Sequence, residues 1–147
     1  MDDLKKILGD LVAFKSFEPV EINRCIDYIH NYLKKDDIEI ELLENNGLKI
    51  LVAWIGPKDA KKTLILNNHI DVVQNDPKYF SMTEDGDRLI GPGIFDMKAS
   101  GAVTMQLLTE LKNEKLPIRV MAQFVPDEET TGKGTQYLVQ KKFLGDF

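Results

Sequence analysis

The sequence predicts an α/β domain in three layers, α/β/α, with helices on both faces of a mixed, largely parallel sheet, and three observations carry that prediction. Two short apolar runs, Thr63 to Leu66 and Ile118 to Val125, each end abruptly in polar and charged residues, the pattern of strands covered on both faces that stop at a sheet edge. Stripes of apolar residues at helical spacing stand around and between these runs. A third stretch alternates apolar with charged residues and turns back through Asn-Asn-Gly, the signal of a hairpin.

The elements follow in order. Leu4, Ile7, Leu8 and Leu11 share one stripe, and Asp2 and Asp3 stand where a helix dipole favours negative charge, so a helix is expected over residues 3–14. After Ser16, Phe17 and Pro19, the stripe of Ile22, Ile26, Ile29 and Leu33 predicts a helix over 20–35, flanked by Cys25 and Tyr28. Ile38, Ile40 and Leu42 alternate with acids, and Asn45-Asn46-Gly47 leads into a second apolar run, giving a hairpin over 38–55. Gly56 to Asp59 is a loop before the strand at 63–66. Residues 74–93, rich in Asn, Asp, Pro and Gly, read as a long irregular connection of the kind that carries function. A helix over 98–112 follows, with Ala99, Ala102, Val103, Leu107, Leu108 and Leu111 as its apolar surface. The strand at 118–125 gives way to Pro126-Asp127-Glu128-Glu129. Thr130 or Thr131 then caps a last helix over 133–142, packed through Tyr137 and Leu138.

Composition narrows the function. At 147 residues the chain suits one domain with a real core. Its net charge of -5, with no basic cluster large enough to neutralise several phosphates, argues against a nucleic-acid partner. Cys25 is the only cysteine, which excludes an internal disulfide and a thiolate zinc site. The start, MDDLKK, has no apolar core of a signal peptide, and no apolar run approaches the roughly 18 residues of a membrane span, so a cytoplasmic protein with no membrane partner is expected.

Chemistry concentrates at the strand ends. His69 and Asp71 are two apart, so on extended backbone they share a face, and the carboxylate can hold one ring nitrogen while the other looks outward. Asp96 precedes the helix at 98–112, where capping is an ordinary fate for an aspartate, and Glu128 with Glu129 could be solvated turn charges. Taken together they read differently. If the strands at 63–66 and 118–125 are parallel neighbours joined by that helix, all five groups meet at one edge, and their like charges repel unless cations are bound. Nitrogen and oxygen donors without thiolate suit Zn²⁺, Co²⁺ or Mn²⁺, and one carboxylate can bridge two ions about 3.5–4 Å apart. Of two adjacent glutamates, one can coordinate metal while the other accepts a proton from a metal-activated water, the apparatus for hydrolysing an amide.

Three stretches, NNHIDVV, DPKYFSMTEDGDRLIGPGIFDMKAS and PDEETTGKGT, resemble in order and spacing the dinuclear zinc metallopeptidases of the M20 type, which include glutamate carboxypeptidase, acetylornithine deacetylase, succinyl-diaminopimelate desuccinylase and aminoacylase. The resemblance implies a zinc-exopeptidase-like fold in which His69 ligates one metal, Asp71 orients His69, Asp96 bridges both metals, Glu128 is the general base and Glu129 ligates the second metal. It also implies a cis peptide at Asp96–Met97, a short peptide or N-acyl amino acid as substrate, and dimerisation through a separate lid domain. Pro92 resembles the glutamate carboxypeptidase branch and the residues after Glu129 the deacylase branches, which leaves the branch open.

Members of that family are longer, supplying a further acidic ligand, a distant histidine and the lid. The ending KKFLGDF reads as the lead into another strand, so residues 1–147 are expected to be an N-terminal part of a catalytic domain, truncated at the C-terminus. Two protein ligands per ion then predict weak metal binding and poor hydrolysis by these residues alone. The alternative from the binding class is a catalytically inactive fragment or scaffold that holds a partner or the remaining half. Nucleotide binding through Gly91-Pro92-Gly93 lacks the strand-turn-helix setting, and Pro92 removes a donor that a phosphate would use.

Overall fold

The computed structural model describes residues 2–146. Two helices come first, α1 (Asp2–Ala13) and α2 (Pro19–Lys34), followed by the hairpin strands β1 (Glu39–Asn45) and β2 (Leu48–Ile55). Strand β3 (Thr63–His69), the short strands β4 (Thr83–Asp85) and β5 (Arg88–Ile90), helix α3 (Ala99–Leu111), strand β6 (Arg119–Val125) and helix α4 (Lys133–Gln140) complete the chain. The side chain of Asp2, and with it the dipole expectation for that residue, lies outside what is described.

The four-stranded sheet has the order β1-β2-β6-β3. β3 and β6 are parallel neighbours, as the crossover through α3 requires, while β1 with β2 and β2 with β6 are antiparallel. The sheet is therefore mixed as expected but not largely parallel, because the hairpin turned by Asn46 and Gly47 brings β2 back to pair with β6 over Leu51 to Ile55. Periodicity reports which residues face a core; it does not report strand direction or the choice of a distant neighbour.

The three layers are present. On one face Ile7, Leu11, Ile26, Ile29 and Leu33 of α1 and α2, with Met105 and Leu108 of α3, pack on Leu51, Ala53 and Phe124. On the other, Leu138 of α4 closes over Ile50, Val52, Met121 and Val125, with Tyr137 and Phe143 at the margin. Each of these fully buried aliphatic side chains is worth about 2–5 kcal/mol against truncation to alanine, so the faces fix the sheet from both sides.

Three local expectations change. β3 does not stop at Leu66 but continues to His69, which pairs with Val125, and its run from Thr63 to Leu66 is half-buried because β3 lies at the end of the strand order. The connection over 74–93 contains a 3₁₀ turn at Pro77–Tyr79 and the β4–β5 hairpin, whose three-residue strands are too short to show a period. The cap of α4 is shared rather than a single threonine: Gly132 stands at the first position with φ 63°, Thr131 Oγ1 accepts the Lys133 amide at 3.3 Å, and the carboxylate of Asp127 accepts the Lys133 and Gly134 amides.

Candidate metal centre

Each group is set by the element that carries it. His69 ends β3 with its side chain almost wholly buried, and Asp71, 2% exposed, follows two residues later. Asp96 lies in the irregular helical turn Ile94–Lys98, where Asp96 (φ -132°, ψ 96°) and Met97 depart from helical angles and the peptide between them is cis, as expected. Glu128 and Glu129 occupy the turn after β6, which Asp127 organises. Its carbonyl accepts the amides of Thr131 at 2.9 Å and Gly132 at 2.7 Å. Its carboxylate accepts the amides of Lys133 at 3.1 Å and Gly134 at 2.8 Å and the Thr131 hydroxyl.

Parallel pairing of β3 with β6 puts these segments at the same sheet edge. His69 Nδ1 donates to the Asp71 carbonyl at 3.1 Å and lies 3.4 Å from Asp71 Oδ1. His69 Nε2 faces outward and meets Asp96 Oδ1 at 2.9 Å, with Glu128 Oε2 at 3.9 Å. One donor atom each from His69, Glu128 and Glu129 lies within 4.8 Å of the others, and Asp96 joins this trio through His69. The side chains of Asp96 and Glu128 are 70% and 58% exposed, so the cluster opens to solvent on the side away from the buried imidazole.

The carboxylate of Asp71 has a task that the two-residue spacing did not reveal. Its Oδ1 accepts the Glu128 amide at 3.1 Å and its Oδ2 accepts the Glu129 amide at 2.9 Å, which ties the glutamate turn to the end of β3. Asp127 was equally hidden in sequence, where it reads as one more turn acid. Its signal would have been the Thr131 and Gly132 that follow it, residues suited to a tight turn around a buried acceptor.

Electrostatics match the geometry. Burial pulls the His69 imidazole down, but hydrogen bonds to Asp71 and Asp96 and the Asp71 charge outweigh it and raise its pKa to about 9. A cation is thus already favoured where Nε2 faces the acids, and the proton marks the position that a metal ion would contest. Lys98 is buried two residues beyond Asp96, and burial lowers its pKa to about 8 against the opposing pull of Cys25 and Asp71. Cys25 itself is buried in the helical layer, so the candidate donors are imidazole nitrogen and carboxylate oxygen throughout.

The chain as a whole is similar to known proteins. Residues 65–147 match the family described as peptidase family M20/M25/M40. The chain is 34% identical over 152 residues to a probable succinyl-diaminopimelate desuccinylase of Staphylococcus aureus (strain MRSA252), covering 96% of this chain and 36% of that protein. The chain therefore spans 36% of the length of this curated relative. Among solved structures it superposes on an M20 family metallo-carboxypeptidase, Sso-CP2, from Sulfolobus solfataricus with a TM-score of 0.83 and 25% identity, over 99% of this chain and 36% of that one. Human carnosine dipeptidase 1 shares the fold, with a TM-score of 0.82 at 19% identity over 96% of this chain and 35% of that one.

Proposed function

The chain belongs to peptidase family M20/M25/M40, and from that premise we propose that it is the part of a catalytic domain that brings His69, Asp71, Asp96, Glu128 and Glu129 to an amide bond for metal-dependent hydrolysis. The observation that carries the reading is the convergence of His69, Glu128 and Glu129 donor atoms within 4.8 Å of one another, from segments far apart in sequence. The donor set fits a divalent cation: one imidazole whose second nitrogen is held by Asp71, surrounded by carboxylates and no thiolate. His69 and Asp96 would hold one ion, and Asp96 and Glu129 a second, with zinc first and Co²⁺ or Mn²⁺ as substitutes. A divalent ion bound there supplies Lewis acidity toward the scissile carbonyl and lowers the pKa of water.

The residues divide the remaining work. Asp71 fixes the His69 ring by receiving Nδ1 and fixes both glutamates by receiving their amides, so the two loops move as one. Glu128, the more exposed of the pair, is left to take the proton of the attacking water and return it to the departing nitrogen. The substrate in this reading is a short peptide or an N-acyl amino acid, and the S. aureus relative's name puts N-succinyl amino acids first in a panel. The protein acts in the cytoplasm on a small molecule, with homodimerisation through a separate lid domain. Among the described residues no helix is long and apolar enough to cross a membrane.

Zinc titration calorimetry of the parent, Glu128→Gln and Glu129→Gln chains, paired with hydrolysis of that panel, tests the assignment. Glu129→Gln should weaken zinc, whereas Glu128→Gln should keep it and abolish whatever hydrolysis the parent shows. Equal loss of zinc in both variants would make Glu128 a ligand and remove it as the base.

A further inference from the structure

Lys98 is among the largest of the fully buried side chains, 1% exposed, and among the described residues no carboxylate forms an ion pair with it. Its Nζ donates to the Phe14 carbonyl at 2.9 Å, just past the end of α1, where a helix terminus favours a cation, and it lies 5.9 Å from the centre of the Phe80 ring. Its backbone amide donates to the Gly93 carbonyl at 2.7 Å, and its stem runs so close to Gly93 that a Cβ there would lie 3.3 Å from Lys98 Cδ. Lys98 is therefore fixed at both ends, directly after the two non-helical residues Asp96 and Met97.

The loop that receives Nζ grips the other side of the centre. Ser16 Oγ donates to the Ile70 carbonyl at 2.7 Å, and the Ser16 carbonyl accepts the Val72 amide at 3.2 Å, so the residues on either side of Asp71 are bound to the α1–α2 loop. Ser16 is fully buried. One loop with no candidate ligand thus holds the His69–Asp71 segment through Ser16 and the Asp96 turn through Lys98. Resting on the metal-centre reading above, we infer that Lys98 is a positioning residue, and that with Ser16 it forms a clasp that sets the distance between His69 and Asp96.

The clasp explains why a charged side chain occupies a place where an apolar one would fit more cheaply. An unpaired buried ammonium is a poor source of stability, and an apolar residue of similar shape is often tolerated or stabilising at such a site. The ammonium reaches a carbonyl that a hydrocarbon cannot hold, and the gain appears in where Asp96 is put.

The test is Lys98→Met, which keeps an unbranched stem and removes the donor. The variant should melt within about 3 °C of the parent, bind zinc about tenfold more weakly by calorimetry, and show Asp96 Oδ1 displaced from its 2.9 Å contact with His69 Nε2 in a crystal structure of the metal-free chain. Unchanged zinc affinity, or an Asp96 that stays in place, overturns the clasp. So does a loss of affinity that merely follows a large loss of melting temperature. If Lys98→Met does not fold, Ser16→Ala decides from the other side, expected to weaken zinc severalfold and refuting the clasp if it does not. Should the parent bind no zinc, the metal reading fails by itself, and the Asp96 position in the Lys98→Met crystal structure still judges the clasp.

Discussion

Asp71 Oδ2 accepts the backbone amide of Glu129 at 2.9 Å, while Oδ1 of the same carboxylate accepts that of Glu128 at 3.1 Å, so one buried side chain sets both glutamates. Asparagine offers a single acceptor oxygen and turns an NH₂ toward the other amide. Asp71→Asn should leave one buried donor unmatched, costing about 1–3 kcal/mol, and should weaken zinc about tenfold to a hundredfold because the glutamate turn loosens. Scanning calorimetry with and without zinc measures both effects. Parent-like melting and affinity would show that the turn holds without this carboxylate.

Asp127 does for α4 what Asp71 does for the centre. Its carboxylate accepts the amides of Lys133 and Gly134, both among the orphan donors at the start of the helix. Asp127→Ala should cost about 0.5–2 kcal/mol, as loss of a cap does, and speed amide hydrogen exchange at Lys133 and Gly134 while the amides of β6 keep their protection. Uniform acceleration across β6 would mean that Asp127 supports the whole sheet edge. Gly134 cannot be altered in its place, since a Cβ there would lie 2.7 Å from Asp127 Oδ1.

Gly93 and Gly86 separate two costs of a left-handed backbone. Both have positive φ, 70° and 60°, but a Cβ at Gly86 meets nothing within 4 Å, whereas one at Gly93 would lie 2.4 Å from Val72 Cγ1. Gly86→Ala should therefore lose about 1–2 kcal/mol from conformation alone. Gly93→Ala should lose about 1–3 kcal/mol more, because Val72 is held by Ser16 and cannot withdraw freely. Urea unfolding of the two variants gives the difference, and equal losses would show that Val72 moves aside.

Sequence conveyed the parts of this centre that depend on local pattern. His69 and Asp71 share a face because of a period of two, Asp96 precedes a helix with a wide apolar surface, and the parallel pairing of β3 with β6 follows from the crossover through α3. What stayed hidden depends on contacts between distant segments. Nothing near Lys98 in sequence announces that its amine crosses to Phe14, and nothing near Asp71 announces the amides of Glu128 and Glu129. The antiparallel place of β2 beside β6 was missed for the same reason, since the apolar face of β2 is equally consistent with either direction.

Cys25 allows metal binding to be read without any hydrolysis. It is fully buried in α2, and burial pushes its thiol up to about 12, so at pH 8 the native protein holds almost no thiolate and exposes none. Labelling by a thiol reagent should therefore be negligible in the folded chain, complete in guanidinium, and limited under native conditions by opening of the helical core. Manganese, which thiols bind poorly, should slow that labelling about a hundredfold at one hundred times its dissociation constant, because it holds the folded state alone. Cys25 is no part of the candidate donor set, so the slowing can come only through the folding equilibrium. Rapid labelling of the native protein would contradict the packing of α2, and labelling indifferent to manganese while slow and complete in guanidinium would count against a cation at His69, Asp96 and Glu129.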